Sequence, residues 1–543
     1  MLKKNSMIDR IQPVSLILTL FIAVTGLIGG CKSPAQLVDE ADTDAYAIIK
    51  EKWDPNFGPM ANYEINDTVP TYEEISQMIP PSGELSLQNA VEIATEYSRA
   101  YQSQKESLYR SALNLTSTRH QYERQWFGTF DTQYRNSAGT ETESASSSLG
   151  VEQAFITAGG IIANAGLQID WYRLLNGDPY TTLGSLLSAS VTAPLLGNVA
   201  GKSAWENLTQ AERNMLYRIR DFNRYRQTFV VSIISQYYQV LQQRESRDIS
   251  RASYERRIDS VNQLMMEVEV GQRAQSDADE ARQQLLSAEN SLISAEQRYA
   301  QTLDNFKITL SLPIDANITL DPNELTALSN IGVSQPEYTA EDAIQIALEK
   351  RLDLANTRDS LVDTERKLVL AEEGLGIQAE FVASSNVSSP SENNDFARLQ
   401  FHEGVYTLAM QTDLPLDQLN ERNSYREALI SLQQQKRGYD EDLDRIRLEV
   451  RQDYRDLVET TRSYEIQTIS EELARRRVDQ QRMLLELGQG TVRLLLESED
   501  ALVQAQNQVI AALVDHTLSK LNFYSDIGIL QVKPDGMWET STE

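Results

Sequence analysis

One cysteine, Cys31, serves all 543 residues. A single thiol excludes intrachain disulfides and thiolate metal cages. Histidine is almost as scarce. His120, His402 and His516 lie far apart and in no ligand spacing. Basic residues are outnumbered, Lys+Arg 50 against Asp+Glu 79, and the net charge of −29 argues against a nucleic-acid partner. Such acidity suits solubility, or an acidic lumen that favours cations. Beyond the N-terminal region no run is long enough for a membrane helix. The best, Phe229-Val230-Val231-Ser232-Ile233-Ile234, is short and broken by a polar residue, and fits a buried helix face. No nucleophile–base pair, metal spacing or phosphate loop is present, so neither an enzyme nor a cofactor is expected.

Glycine and proline are missing over unusual lengths. Residues 202–270 contain neither, Gly271 interrupts, and residues 272–312 again contain neither. The second half repeats the layout. Helix-like sequence starts at Leu416, breaks at Leu487-Gly488-Gln489-Gly490, and resumes to about Ile527. At 1.5 Å per residue, the arm before Gly271 spans roughly 100 Å. Ordinary helices run to three or four turns; a structure bridging two membranes needs far longer ones.

The two stretches are copies of each other. Gly271-Gln272 matches Gly488-Gln489. Glu280, Leu285, Ala288, Asn290, Ile293 and Ala295 match Glu497, Leu502, Ala505, Asn507, Ile510 and Ala512. The starts match as Ala90-Val91-Glu92-Ile93-Ala94 and Ala343-Ile344-Gln345-Ile346-Ala347. Generic coiled-coil composition explains agreement among Ala, Leu, Gln and Glu. It does not explain interruptions at the same points.

Between the helices the period changes from 3.6 to 2. Ala163, Ala165, Leu167, Ile169 and Trp171 alternate with polar or small residues. So do Leu187, Ala189, Val191 and Ala193, then Ile377, Ala379, Phe381 and Ala383; residues 399–412 are also strand-like. One apolar and one polar face is the mark of a membrane β-barrel, and also of a soluble half-buried sheet. Two strands per copy make four per chain, with Gly159-Gly160 placed to turn an extra hairpin. Four strands cannot close a barrel, and an open edge is forbidden in hydrocarbon. The chain must therefore oligomerise, and a trimer supplies twelve strands.

The N-terminus carries an address. Lys3, Lys4 and Arg10 precede an apolar stretch over 14–28, which ends in Leu27-Ile28-Gly29-Gly30-Cys31. Its length is that of a signal-peptide core. The small residues before the cysteine resemble a bacterial lipobox, cut before Cys31, whose thiol takes a diacylglycerol. An ordinary signal peptide with an incidental cysteine is the plainer alternative.

In order, and twice over, these features resemble the outer-membrane efflux proteins, the TolC channel-tunnel family, in their lipoprotein form. The likeness runs from about Leu85 to Leu530. It rests on the repeat openings, on Pro194-Leu195 and Pro415-Leu416 at the strand-to-helix junctions, and on the turns at Val270-Gly271 and Leu487-Gly488. The resemblance implies a mainly α fold with membrane β: duplicated helical hairpins forming a periplasmic tunnel, and strands contributing to a trimeric, twelve-stranded outer-membrane barrel. It implies a passive exit duct with two partners. One is a periplasmic adaptor docking at the tips (Val270, Gly271, Gln272, Leu487, Gly488, Gln489); the other is an inner-membrane pump. It places a pore constriction at Asp277, Glu280 and Glu497, while Leu494 departs from the family's acidic pattern. The apolar run at 492–496 either awaits a partner or packs between helices. The domain reading is 1–30 signal peptide, 31–84 lipidated extended segment, 85–312 first repeat, 313–337 equatorial linker, 338–527 second repeat and 528–543 tail. A periplasmic adaptor lipoprotein and a non-conducting coiled-coil scaffold are the competing functions.

Overall fold

The computed structural model describes residues 32–60, 62–66, 68, 71, 74–75, 77–137, 142–156, 160–174, 181–197, 199–390, 395, 397–414, 416–533 and 538–540. The signal segment 1–30, Cys31, Gly159 and Pro415 lie outside them. The chain divides into two compact units, Met1–Glu51 and Lys52–Glu543.

In the first unit the structure corrects the extended segment expected from residue 31 onward. Helix α1 runs Pro34–Lys52. Ser33 and Gln36 cap it reciprocally: the Gln36 N–H donates to Ser33 Oγ (3.3 Å) and the Ser33 N–H to Gln36 Oε1 (2.9 Å). Pro34 takes the first helical position, where its missing N–H costs nothing. Ala45, Ile48 and Ile49 share one buried face at helical spacing.

The second unit holds both repeats. Strand β1 (Glu84–Leu85) leads into α2 (Leu87–Tyr97) and α3 (Arg99–His120). Strands β2 (Gln125–Ser137), β3 (Thr142–Ile156), β4 (Ile162–Leu174) and β5 (Thr181–Leu196) follow. The hairpin α4 (Val199–Glu269) and α5 (Gln275–Thr309) completes the first repeat. Strand β6 (Thr319–Leu320) pairs in parallel with β1, and α6 (Asn323–Ile331) ends the linker. The second repeat is α7 (Ala340–Lys350), α8 (Leu352–Glu373), β7 (Gln378–Ser388), β8 (Val405–Asp413), α9 (Leu419–Glu486) and α10 (Val492–Asp526). A short antiparallel pair closes the described chain, β9 (Leu530–Val532) with β10 (Trp538–Thr540).

The duplication holds helix by helix. Lengths of 11, 22, 71 and 35 residues in the first repeat answer 11, 22, 68 and 35 in the second. The opening helices share a cap: Ser86 Oγ accepts from the Asn89 N–H and Thr339 Oγ1 from the Asp342 N–H, both at 3.2 Å. Both break into the next helix at one extended residue, Ser98 or Arg351. At 71 residues α4 is roughly 105 Å long.

The strand count, four plus the extra hairpin foreseen in the first repeat, comes to six. All six strands form one antiparallel sheet in the order β2-β3-β4-β5-β7-β8. The added pair is β2–β3, whose alternation is diluted by a serine run at Ser146-Ser147-Ser148 that blurs the period-2 signal.

The long helices pack pairwise, α4 with α5 and α9 with α10, and α10 also lies against α4. A charged seam joins the repeats where α4 meets α8. Buried Asp363 accepts from the Tyr217 hydroxyl (2.6 Å), Gln210 Nε2 (3.1 Å) and Arg366 Nη1 (3.0 Å), and pairs with Arg213. Arg366 also binds Glu206 through two nitrogens, at 2.6 and 2.8 Å.

Candidate functional site at the hairpin tips

Both hairpins turn by the same device. At the first tip the Gln272 N–H reaches Glu267 O (2.8 Å) and the Gly271 N–H reaches Val268 O (2.9 Å). At the second, Gln489 reaches Leu484 O (2.9 Å) and Gly488 reaches Leu485 O (3.1 Å). This paired bonding needs a left-handed residue, and Gly271 (φ 76°) and Gly488 (φ 72°) supply it. The apolar residues before each glycine stay open to solvent: Met266, Val270, Met483 and Leu487 are exposed.

The apolar run after the second tip has a partner within the chain. Val492 and Leu496 are buried with Val261 and Leu264 of α4 and Ala281 of α5, flanked by Leu285 and Leu485. Among the apolar side chains of that run only Leu494 stays exposed. The two tips therefore share one small core.

The three acidic residues do not stand alike. Asp277 lies in the first turn of α5, where the helix dipole favours a carboxylate. Glu280 and Glu497 converge on a residue that sequence reasoning missed. Arg493 Nε donates to Glu497 Oε1 at 2.9 Å and lies 4.0 Å from Glu280 Oε1. Glu497 first, then Glu280, raises the Arg493 pKa, so the guanidinium stays charged. Arg493 is two places from Thr491 in the second copy, where the first copy has Ser276, and only the four-residue spacing to Glu497 signalled the pair.

Two more arginines tie one tip to the other. Arg257 of α4 is 2% exposed. Its Nη2 binds Asp500 Oδ1 of α10 at 2.5 Å, and its Nη1 reaches Gln284 of α5. Arg273 donates to Glu267 Oε2 and to Leu485 O, each at 3.2 Å. The tip is thus two hairpins held by a common apolar core and three arginine contacts.

Two hairpins, each with one arm of about 100 Å and a return arm of about 50 Å, fed by antiparallel strands of one sheet, define a channel-tunnel fold. Residues 171–307, the end of β4 through α5, match the family model described as outer membrane efflux protein. The match lies within the first repeat, and it agrees with the resemblance read from both repeats. Solved structures agree in fold. The CmeC outer membrane channel of Campylobacter jejuni superposes with a TM-score of 0.57 at 11% identity, covering 88% of this chain and 91% of its own. The outer membrane protein VceC of Vibrio cholerae gives 0.58 at 11%, covering 81% and 96%. The open state of the MtrE outer membrane channel of Neisseria gonorrhoeae gives 0.56 at 13%, covering 81% and 88%. No curated protein sequence matches the chain.

Proposed function

We propose that this chain is one subunit of a homotrimeric outer-membrane channel-tunnel, the passive exit duct of a tripartite efflux or secretion system. The observation that carries the reading is a single sheet, apolar on one face and polar on the other, whose strands run into helical hairpins with arms of about 100 Å and about 50 Å. A soluble half-buried sheet has no use for such arms, and a periplasmic adaptor or scaffold has no use for the sheet. Cys31 takes a lipid anchor in the outer membrane. An adaptor protein docks on the exposed residues at the tips, Val270, Gly271 and Gln272 with Leu487, Gly488 and Gln489, and an inner-membrane pump supplies the energy. Asp277, Glu280 and Glu497 line the closed entrance.

A charge ring in a narrow pore acts at short range, where screening is weak. Purified protein in planar bilayers should conduct, with a preference for cations. Replacing Asp277, Glu280 and Glu497 together with Asn or Gln should lower that preference. Because Arg493 offsets two of these acids, Arg493→Gln alone should raise it. No conductance in any preparation would remove the channel reading. Conductance with unchanged reversal potentials would place the three acids away from the lumen.

A further inference from the structure

We propose that the β2–β3 hairpin is part of the barrel wall, so that three copies close an eighteen-stranded barrel with β2 of one copy paired to β8 of the next. The proposal rests on the trimeric channel reading above and specifies its wall.

Three observations support it. The hairpin is continuous with the sheet. β2 pairs with β3 from Gln125↔Ala154 to Ser137↔Thr142, and β3 pairs with β4 from Ser144↔Leu174 to Ile156↔Ile162. The register shift in the sheet lies elsewhere, at Pro194/Leu196 between β5 and β7.

The faces also continue. Following the register, Trp126, Phe130 and Tyr134 of β2 share a face with Leu149, Val151 and Phe155 of β3. That face goes on through Leu167 and Ile169, Leu187 and Val191, Phe381 and Ala383, to Tyr406, Leu408 and Met410. The opposite face of the hairpin carries Thr129, Asp131, Gln133 and Arg135 beside Ser144, Ser146 and Ser148, and continues through Gln168, Ser188, Ser190 and Asn386. A soluble appendage would not keep its apolar side on the lipid side of the sheet. Aromatic residues mark both ends of the new strand, Trp126 at one and Tyr134 at the other, as in the girdles of membrane barrels.

Length is the third observation. At 13 and 15 residues, β2 and β3 exceed the 9–11 or so that a tilted strand needs to cross.

Lipid then dictates the seam. An unpaired edge inside hydrocarbon leaves its N–H and C=O groups without partners. The free edges of this sheet are β2 and β8, and in a six-stranded antiparallel order they run in opposite directions. Each can therefore complete the ladder of a neighbouring copy. Barrel diameter grows about linearly with strand number, from ~24 Å for twelve strands to ~36 Å for eighteen at a ~4.8 Å spacing and ~40° tilt. The wall is then wide and water-filled, and passes bulkier cargo than twelve strands would.

Cysteine pairs on the polar face distinguish the seams. Full-length protein is extracted from outer membranes and oxidised with copper phenanthroline. One set combines Thr129→Cys, Asp131→Cys or Gln133→Cys in β2 with Thr407→Cys, Ala409→Cys or Gln411→Cys in β8. The other combines Asn164→Cys, Gln168→Cys or Asp170→Cys in β4 with the same β8 variants. Single-cysteine variants control for Cys31. Covalent dimers and trimers from at least one β2–β8 pair, and none from β4–β8, are expected. Crosslinks from β4–β8 alone would overturn the proposal, leaving a twelve-stranded channel with the hairpin outside its wall. Trimers without crosslinks from either set would also overturn it. A monomer that does not insert in membranes would instead overturn the channel reading itself.

Discussion

Two aspartates in the helical half of the molecule sit in opposite electrostatic settings. At Asp363 burial works to raise the pKa, but hydrogen bonds from Tyr217 and Gln210 and the charges of Arg213 and Arg366 outweigh it, and the carboxyl is held below its ordinary range. At Asp453 burial and the neighbouring Asp526 both act upward, and the pKa rises to about 7. The unfolded value is about 3.9 for both. The Asp363 contribution to stability is complete above that value and is lost as pH falls through the lower folded pKa. The Asp453 contribution is complete below it and is lost as pH rises through about 7. Asp363→Asn should therefore cost about 1–2 kcal/mol at neutral pH, by removing the carboxylate that Tyr217, Arg213 and Arg366 bind, with the cost shrinking below about pH 4. Asp453→Asn should stabilise at pH 8 and do nothing at pH 3.5 or so. Thermal melts by circular dichroism across that range would read both signs.

The repeat ends differ at one residue for a physical reason. The last helix of each copy finishes in a left-handed residue, Ser311 (φ 61°) in the first and Gly528 (φ 78°) in the second. Ser311 compensates for its strain, since its Oγ accepts the Arg99 N–H at the start of α3 (3.2 Å). At Gly528 a Cβ would come within 3.2 Å of Lys350 and 3.3 Å of the Arg351 nitrogen. Ser311→Gly should be near neutral, trading about 1 kcal/mol of relieved strain for a hydrogen bond of similar worth. Gly528→Ser should cost about 1–2 kcal/mol of strain and more for the crowding. Comparing the two melting temperatures checks the asymmetry.

At the scale of elements, propensity and packing divide the work. A run of 71 residues without proline, and without glycine after Gly201, makes helix the cheapest local structure. What turns two long helices into one tip is the contact between hairpins. Arg257 contributes most to that contact, because it is buried while Asp500 remains half exposed. Arg257→Ala should loosen the tip without unfolding the helices. Amide hydrogen exchange at 484–500 should speed up about tenfold or more, matching a loss of about 1.5 kcal/mol, while exchange in the middle of α4 stays unchanged. Uniform acceleration along α4 would show that Arg257 acts on the whole hairpin instead. The strands follow a different rule. Their pairing is set by register and by which face meets lipid, so the serine-rich β3 is a strand by virtue of its neighbours β2 and β4 more than by its own composition.

At the scale of the whole molecule, the proposed lipid anchor and the sheet would act as separate membrane devices. Acyl chains hold a terminus at the interface by roughly 0.8 kcal/mol per buried CH₂. A closed barrel holds by satisfying every backbone group within the bilayer. Metabolic labelling with a radioactive fatty acid should therefore mark the wild type and miss Cys31→Ser, whereas the variant should still be extracted as a trimer by light scattering. Equal labelling of both would remove the anchor. Monomers of the unlabelled variant would make lipidation a condition of assembly.

The sequence by itself determined the duplicated hairpins, their tip glycines and the presence of strands between helices. These follow from local rules: helix propensity, left-handed turns and side-chain periodicity act within a few residues. Only the tertiary structure decided the rest. It fixed the strand count at six, buried Val492 and Leu496 between hairpins, and set Arg493, Arg257 and Arg273 across the tip. Each of those depends on partners far away in the chain. The physical reason is range: a cap or a turn is written in adjacent residues, whereas a sheet edge, a buried ion pair or a shared core exists only when distant segments meet.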